Sequence, residues 1–171
     1  MLARVSTATR VTIGVISDTH GLLRPEALAA LDGCAHIIHA GDVGSPEIIE
    51  RLRVLAPTTA VRGNVDTASW AISLRLTEVV QVGDLHLYVL HDLAALALDP
   101  RAAGFAAVIS GHTHRPAVTR RNGVLYLNPG SAGPRRFKLP ISLARLDIAG
   151  ELISHEFITL PGDILTREEE S

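Results

Sequence analysis

The chain has 171 residues, 47% of them hydrophobic, which suits one domain with a substantial core. A formal charge of −2 gives no overall pull toward nucleic acid or a membrane surface, so an anionic ligand has to be drawn by a local feature. Cys34 is the sole cysteine, which excludes an intramolecular disulfide and points to a reducing, cytoplasmic compartment with the thiol as a small buried apolar group.

MLARVSTATR, residues 1–10, has no apolar stretch of signal-peptide length and reads as a flexible lead-in. From Val11 the text alternates strand, turn and helix. VTIGVIS, HIIHA, TTAVRG and FAAVIS are short β-rich runs that could be buried on both faces. PEALAALD and SPEIIERLRVLA between the first three are helical, the second with Ser45 as N-cap, Pro46 at the first helical position and Glu47 just inside. After Trp70 the pattern changes to hairpins, LTEVVQV and LHLYVLH about Gly83-Asp84, then PAVTRR and VLYLN about Asn122-Gly123. ISLARLDI and ELISHEFITL about Ala149-Gly150 make one more, so the second half is expected to be mostly antiparallel. Residues 92–103 are expected to be helical, with a break or a new start at Asp99-Pro100. The acidic end, 163–171, reads as a solvated tail. The economical architecture is an α/β fold over 11–162, a two-sheet mixed β-sandwich flanked by helices in four αββα layers.

Metal-competent side chains fall at the ends of the apolar runs. Asp18 and His20 follow the first strand, Asp42 the second, Asn64 the third, His91 the hairpin strand, and His112 and His114 the FAAVIS run. In a largely parallel sheet those ends share one edge, where open α/β folds place ligands. Each residue alone could be a turn or cap, but coincidence is a poor account of all seven. His36, His39, His86 and His155 lie elsewhere and read as ordinary structural histidines. Imidazole with carboxylate and no thiolate suits Mn, Fe, Zn, Co or Ni in a catalytic rather than a structural site. Seven donors exceed the needs of one ion, and two divalent ions roughly 3.5 to 4 Å apart would use them. With a bridging hydroxide such a site carries a net charge of about +1, which fits an anionic ester.

The ordered motifs SDTHG, HAGDVG, VRGNVD, VLHD and GHTH followed by NPGS resemble the calcineurin-like metallophosphoesterases. Among these the small bacterial and archaeal phosphodiesterase branch, to which the retromer subunit Vps29 is also similar, is nearest in pattern. The resemblance implies that Asp18, His20 and His114 hold one metal, that Asn64, His91 and His112 hold the other, and that Asp42 bridges them. It also implies two divalent metals, Mn first, and hydrolysis of a small phosphodiester by a metal-bridging hydroxide, with Asp42, Asn64 and His91 in the catalytic set. A non-catalytic protein-binding scaffold of the Vps29 kind is the rival. No stable nucleic-acid complex and no membrane are expected, and a homo-oligomer stays open.

Two departures stand out. The family's GNHE is GNVD here, with Val65 in place of the histidine often assigned as proton donor; Asp66 is a stand-in or, in the preferred reading, a cap. His91 is followed by Asp92 where the family has glycine, and Asp92 reads as the N-cap of the next segment. Asn128, Gly130 and Ser131 in NPGS are expected to fix the geometry of the GHTH loop. Arg135, Arg136 and Lys138 read as a solvated basic face, with a phosphate contact as the alternative.

Overall fold

The computed structural model describes residues 9–162, so most of the lead-in (1–8) and the acidic tail (163–171) lie outside the described residues. Strands β1 (Val11–Ile16), β2 (His36–His39) and β3 (Thr58–Ala60) run parallel, joined by helices α1 (Pro25–Leu31) and α2 (Pro46–Leu55). The hairpin of β9 (Ser142–Ala149) and β10 (Leu152–Thr159) extends this sheet in the order β10-β9-β1-β2-β3. The second sheet has the order β4-β5-β6-β8-β7, from β4 (Thr77–Val82), β5 (Leu85–Leu90), β6 (Ala107–Ile109), β7 (Pro116–Arg121) and β8 (Val124–Pro129).

Alternation along the strands divides the core into layers. Ile13 and Val15 of β1 point between the sheets and meet Leu87, Val89, Ile109 and Leu127 of the second sheet. Ile16 and Ile37 point outward and are covered by Leu31 of α1 and by Ile48, Ile49 and Leu52 of α2. Helix α2 follows from its sequence, with Pro46 at its start, Glu47 in its first turn, and one apolar face. The Ser45 hydroxyl, expected to cap a backbone N–H, binds the Glu47 carboxylate instead.

One expected helix is absent. Residues 92–103 form no α-helix: a single 3-10 turn, Leu93–Ala95, is followed by irregular chain, although the segment is rich in alanine and leucine. Pro100 disfavours helical backbone at Asp99, which leaves too short a run to repay helix nucleation. Asp99 instead accepts from the backbone N–H groups of Arg101 and Ala102, starting a turn. This segment is nonetheless the outer layer of the second sheet, where Leu93 and Leu96 pack on Leu90, Val108 and Val124.

The second half is mostly antiparallel, as expected, and its own sheet is mixed. All three expected hairpins form, and within the second sheet β5, β6 and β8 are mutually parallel, so antiparallel pairing in that sheet is confined to the outer strands β4 and β7. Hairpin turns reveal pairing between sequence neighbours, whereas β6 enters between β5 and β8 through longer connections that carry no turn signature. Each sheet therefore has a parallel triplet, and all six triplet strands end at one edge of the sandwich. No helix among the described residues is long and apolar enough to cross a membrane.

Candidate metal centre

All seven sequence-predicted donors meet at that edge. Asp18 and His20 come from the loop after β1, Asp42 from the loop after β2, Asn64 from the segment after β3, and His91 directly follows β5. His112 and His114 are not on a strand, because β6 stops at Ile109; both lie in the loop to β7. The loops of the first sheet are stitched together by backbone bonds from Asp18 to Gly41, His20 to Asp42 and Gly21 to Val43. The Gly111 N–H donates to the His91 carbonyl and ties β5 to the GHTH loop.

The donors fall into two groups, with Asp42 between them. In the first, His114 Nε2 is 3.2 Å from Asp18 Oδ1 and 3.3 Å from His20 Nε2. In the second, Asn64 Oδ1 is 3.0 Å from His91 Nε2 and 3.1 Å from His112 Nδ1. Asp42 Oδ2 lies 3.2 Å from His91 Nε2 and 3.9 Å from His20 Nε2, between the groups. Donor atoms of Asp18, His20 and His114 lie within 4.8 Å of one another, as do those of Asp42, His91 and His112.

These residues fit divalent cations. Asp18 is fully buried, and its Oδ2 accepts from the Ser17 hydroxyl and the His112 N–H, yet Oδ1 has no hydrogen-bond donor. His114 Nε2 is 3.2 Å from Oδ1 without making a geometrically acceptable hydrogen bond, so a buried carboxylate oxygen faces imidazole nitrogens and has no hydrogen-bond partner. A buried acceptor left this way costs about 1 to 3 kcal/mol, which a cation would remove. His91 Nδ1 donates to the Ala40 carbonyl at 2.7 Å, which turns Nε2 toward the centre, where the neutral ring would offer its lone pair to a cation.

The charge balance is consistent with a cation site. Burial alone would raise Asp18, but His114 and the Ser17 hydroxyl outweigh it and the carboxyl lies below its usual range. Asp42 is likewise lowered against the effect of burial, by His91 and by the Val65 N–H at 3.0 Å. Burial lowers His20 despite the opposing pull of Asp42 and Asp18. His91, where Asp42 and the Ala40 carbonyl overcome burial, is raised.

Comparison with known proteins decides the family. Residues 11–151 match the calcineurin-like phosphoesterase superfamily domain. The chain belongs to that superfamily. A probable metallophosphoesterase of Methanothermobacter thermautotrophicus is 39% identical over 158 residues, 85% of this chain and 91% of that protein. A solved archaeal phosphodiesterase superposes with a TM-score of 0.76 at 24% identity, covering 88% of this chain and all of that one (100%). Vacuolar Protein Sorting 29 from Cryptosporidium parvum has the same fold, with a TM-score of 0.70 at 21% identity over 88% of this chain and 98% of that one.

Backbone strain separates this phosphoesterase centre from the rest of the chain. Asp18, His20, Asp42, His112 and His114 all have positive φ, between 46° and 71°, and the only other non-glycine residues so placed among those described are Asn122 and Phe137. Each such residue costs on the order of 1 to 3 kcal/mol and persists where its surroundings over-determine it. Close packing does so here. A Cβ on Gly63 would stand 2.1 Å from Asp42 Oδ1, and one on Gly111 would stand 2.1 Å from Ser17 Oγ and 2.8 Å from Asp18 Oδ2.

The surrounding polar residues hold the loops. Both Asp66 oxygens are engaged: Oδ2 accepts from Val43 and Gly63, and Oδ1 from Gly44. This is the capping role, and it joins the Asp42 loop to the Asn64 segment. Asp92 caps the 3-10 turn through the Ala94 N–H. Asn128 donates to the Gly111 carbonyl and the Thr113 hydroxyl, and Ser131 donates to the Asp18 carbonyl. Val65 is half-exposed at the mouth and serves Asp42 only through its N–H. Arg135, Arg136 and Lys138 are exposed after Gly133, near enough for Arg136 to oppose protonation of His20.

Of the four histidines read as structural, His36, His86 and His155 lie outside the donor groups, and His39 supports the centre from below. His39 is fully buried, with Nε2 2.9 Å from the Thr19 hydroxyl and Nδ1 accepting from the Gly41 N–H. Burial drives it down to about 4, although Asp18 and Asp66 pull the other way. Its folded value is depressed, so the unfolded chain binds the proton more readily. The associated stability is present above about pH 6.5 and is lost as pH falls toward 4, by about 3 kcal/mol in total. Urea denaturation at pH 7 and pH 4.5 should show the loss, with a pH dependence about 2 kcal/mol smaller in His39→Asn. Equal pH dependence in the two proteins would contradict it.

Proposed function

We propose that the protein is a dinuclear-metal-dependent phosphodiesterase. The observation that carries this reading is the meeting of two donor groups at Asp42. Asp18, His20 and His114 would hold one divalent ion, Asn64, His91 and His112 the other, and Asp42 both. Mn is the preferred metal for this nitrogen and oxygen set, with Fe, Zn, Co and Ni as alternatives. Bound ions would supply Lewis acidity at the phosphoryl oxygens and make water a competent nucleophile near neutral pH.

The chain's own residues supply the geometry for this chemistry. The Val65 N–H holds Asp42 Oδ1, leaving Oδ2 for the centre, and the Ala40 carbonyl fixes the His91 ring. Ser17 and the His112 N–H turn Asp18 so that Oδ1 faces inward. Val65 cannot donate a proton to a leaving oxygen, and Asp66 is committed to three backbone N–H groups. Esters with good leaving groups should therefore be favoured, because a general acid is worth about 10² to 10⁴-fold. The lone, buried Cys34 supports a cytoplasmic setting.

The test is turnover of bis(4-nitrophenyl) phosphate and 4-nitrophenyl phosphate by Mn²⁺-loaded protein. The diester should be hydrolysed faster, and chelation should reduce the rate by about 10²-fold or more until Mn²⁺ is restored. The rival scaffold reading, supported by the apolar Val65 at the mouth, predicts no turnover above background with metal present.

A further inference from the structure

A cleft of about 300 Å³ opens beside the second donor group. Asn64, His91 and Asp92 line its inner end, Leu76, Leu90 and Ala95 give it an apolar wall, and Arg62 completes it. Small-molecule sites span roughly 300 to 1,000 Å³, so this volume suits one arm of a diester rather than the whole molecule. Arg62 is partly buried, and among the described residues its guanidinium has no hydrogen bond or ion pair. Its backbone N–H is spent on the Arg75 carbonyl, which fixes the chain there.

We propose that this cleft receives one ester arm of the substrate and that the arm carries a planar ring. The proposal rests on the phosphodiesterase reading, since a phosphate held at the donor groups would direct an arm past Asn64 and His91. The apolar wall alone would accept an alkyl chain equally well. Arg62 decides between them: an alkyl chain would desolvate the guanidinium and return nothing, whereas a ring offers it a π face and ring acceptors. Two sources share that chemistry, an aryl group directly on the ester oxygen and a nucleobase carried on a sugar.

The experiment is calorimetric binding of methyl, hexyl and phenyl phosphate and thymidine 5′-monophosphate to Mn²⁺-loaded protein, its Arg62→Ala variant and its Ala95→Phe variant. Ala95 is exposed, so the added ring fills the cleft without entering the core. At least one ring-bearing ester should bind about tenfold tighter than methyl and hexyl phosphate, a difference of about 1.4 kcal/mol. The preference should fall below about threefold in both variants. Tight binding of phenyl phosphate alone would identify an aryl arm, and of the nucleotide alone a nucleobase. Four similar affinities, hexyl matching phenyl, or a preference that survives both variants would overturn the proposal. Diester turnover in the same preparations separates the two readings. Turnover without a ring preference removes the cleft assignment alone, a ring preference without turnover removes the phosphodiesterase reading alone, and absence of both removes the two together.

Discussion

Asp42→Ala should reduce diester hydrolysis by about 10³-fold or more, equivalent to about 4 kcal/mol of transition-state stabilisation. The size reflects its position. Asp42 faces His91 on one side and His20 on the other, so its loss weakens both donor groups, whereas loss of an outer histidine weakens one. Asp42→Asn is the sharper variant, because it keeps an oxygen for the Val65 N–H while removing the charge. It should lose at least about 10²-fold, with a normal far-UV spectrum. Steady-state rates with Mn²⁺ in excess measure the effect. Wild-type turnover in both variants would show that Asp42 is not shared between reacting centres.

The second large effect is on stability. Asp66→Ala should destabilise the protein by about 3 to 5 kcal/mol, since it strips partners from the N–H groups of Val43, Gly44 and Gly63 at about 1 to 3 kcal/mol each, with water recovering part. Asp66→Asn should recover little, because its amide must place donors against N–H groups now served by two carboxylate oxygens. Chemical denaturation measures both. A loss below about 1 kcal/mol, with activity nonetheless abolished, would instead favour the proton-donor role for Asp66.

The seven donors were legible in the sequence because each comes after an apolar run, often beside glycine, and an ordered set at one sheet edge is hard to obtain by chance. The finer geometry was hidden because aspartate and histidine tolerate left-handed backbone without a helping neighbour. Nothing local announced positive φ at Asp18, His20, Asp42, His112 and His114. His112 and His114 follow the apolar run as expected, and the loop that begins after Ile109 aims them at different groups. The parallel run of β5, β6 and β8 and the missing helix over 92–103 were hidden for related reasons. Both are decided by non-local pairing and by the layer that covers a sheet, against local hairpin and alanine signals.

His39 and Arg62 were hidden differently. His39 is an ordinary strand residue until the fold places Thr19 and Gly41 against it. Arg62 reads as part of a strand until β3 stops at Ala60 and leaves it in the wall of a cleft. A signal for the loop supports did exist in the glycines of RGN and GHTH, where a side chain would collide with Asp42 or with Ser17 and Asp18.

Anomalous diffraction from crystals of Mn²⁺-loaded protein tests the two-metal account most directly. It should show two peaks per chain, roughly 3.5 to 4 Å apart. One should lie among Asp18, His20 and His114, the other among Asn64, His91 and His112, with the Asp42 carboxylate between them. A single peak at full metal loading, or two peaks of which neither touches Asp42, would contradict it.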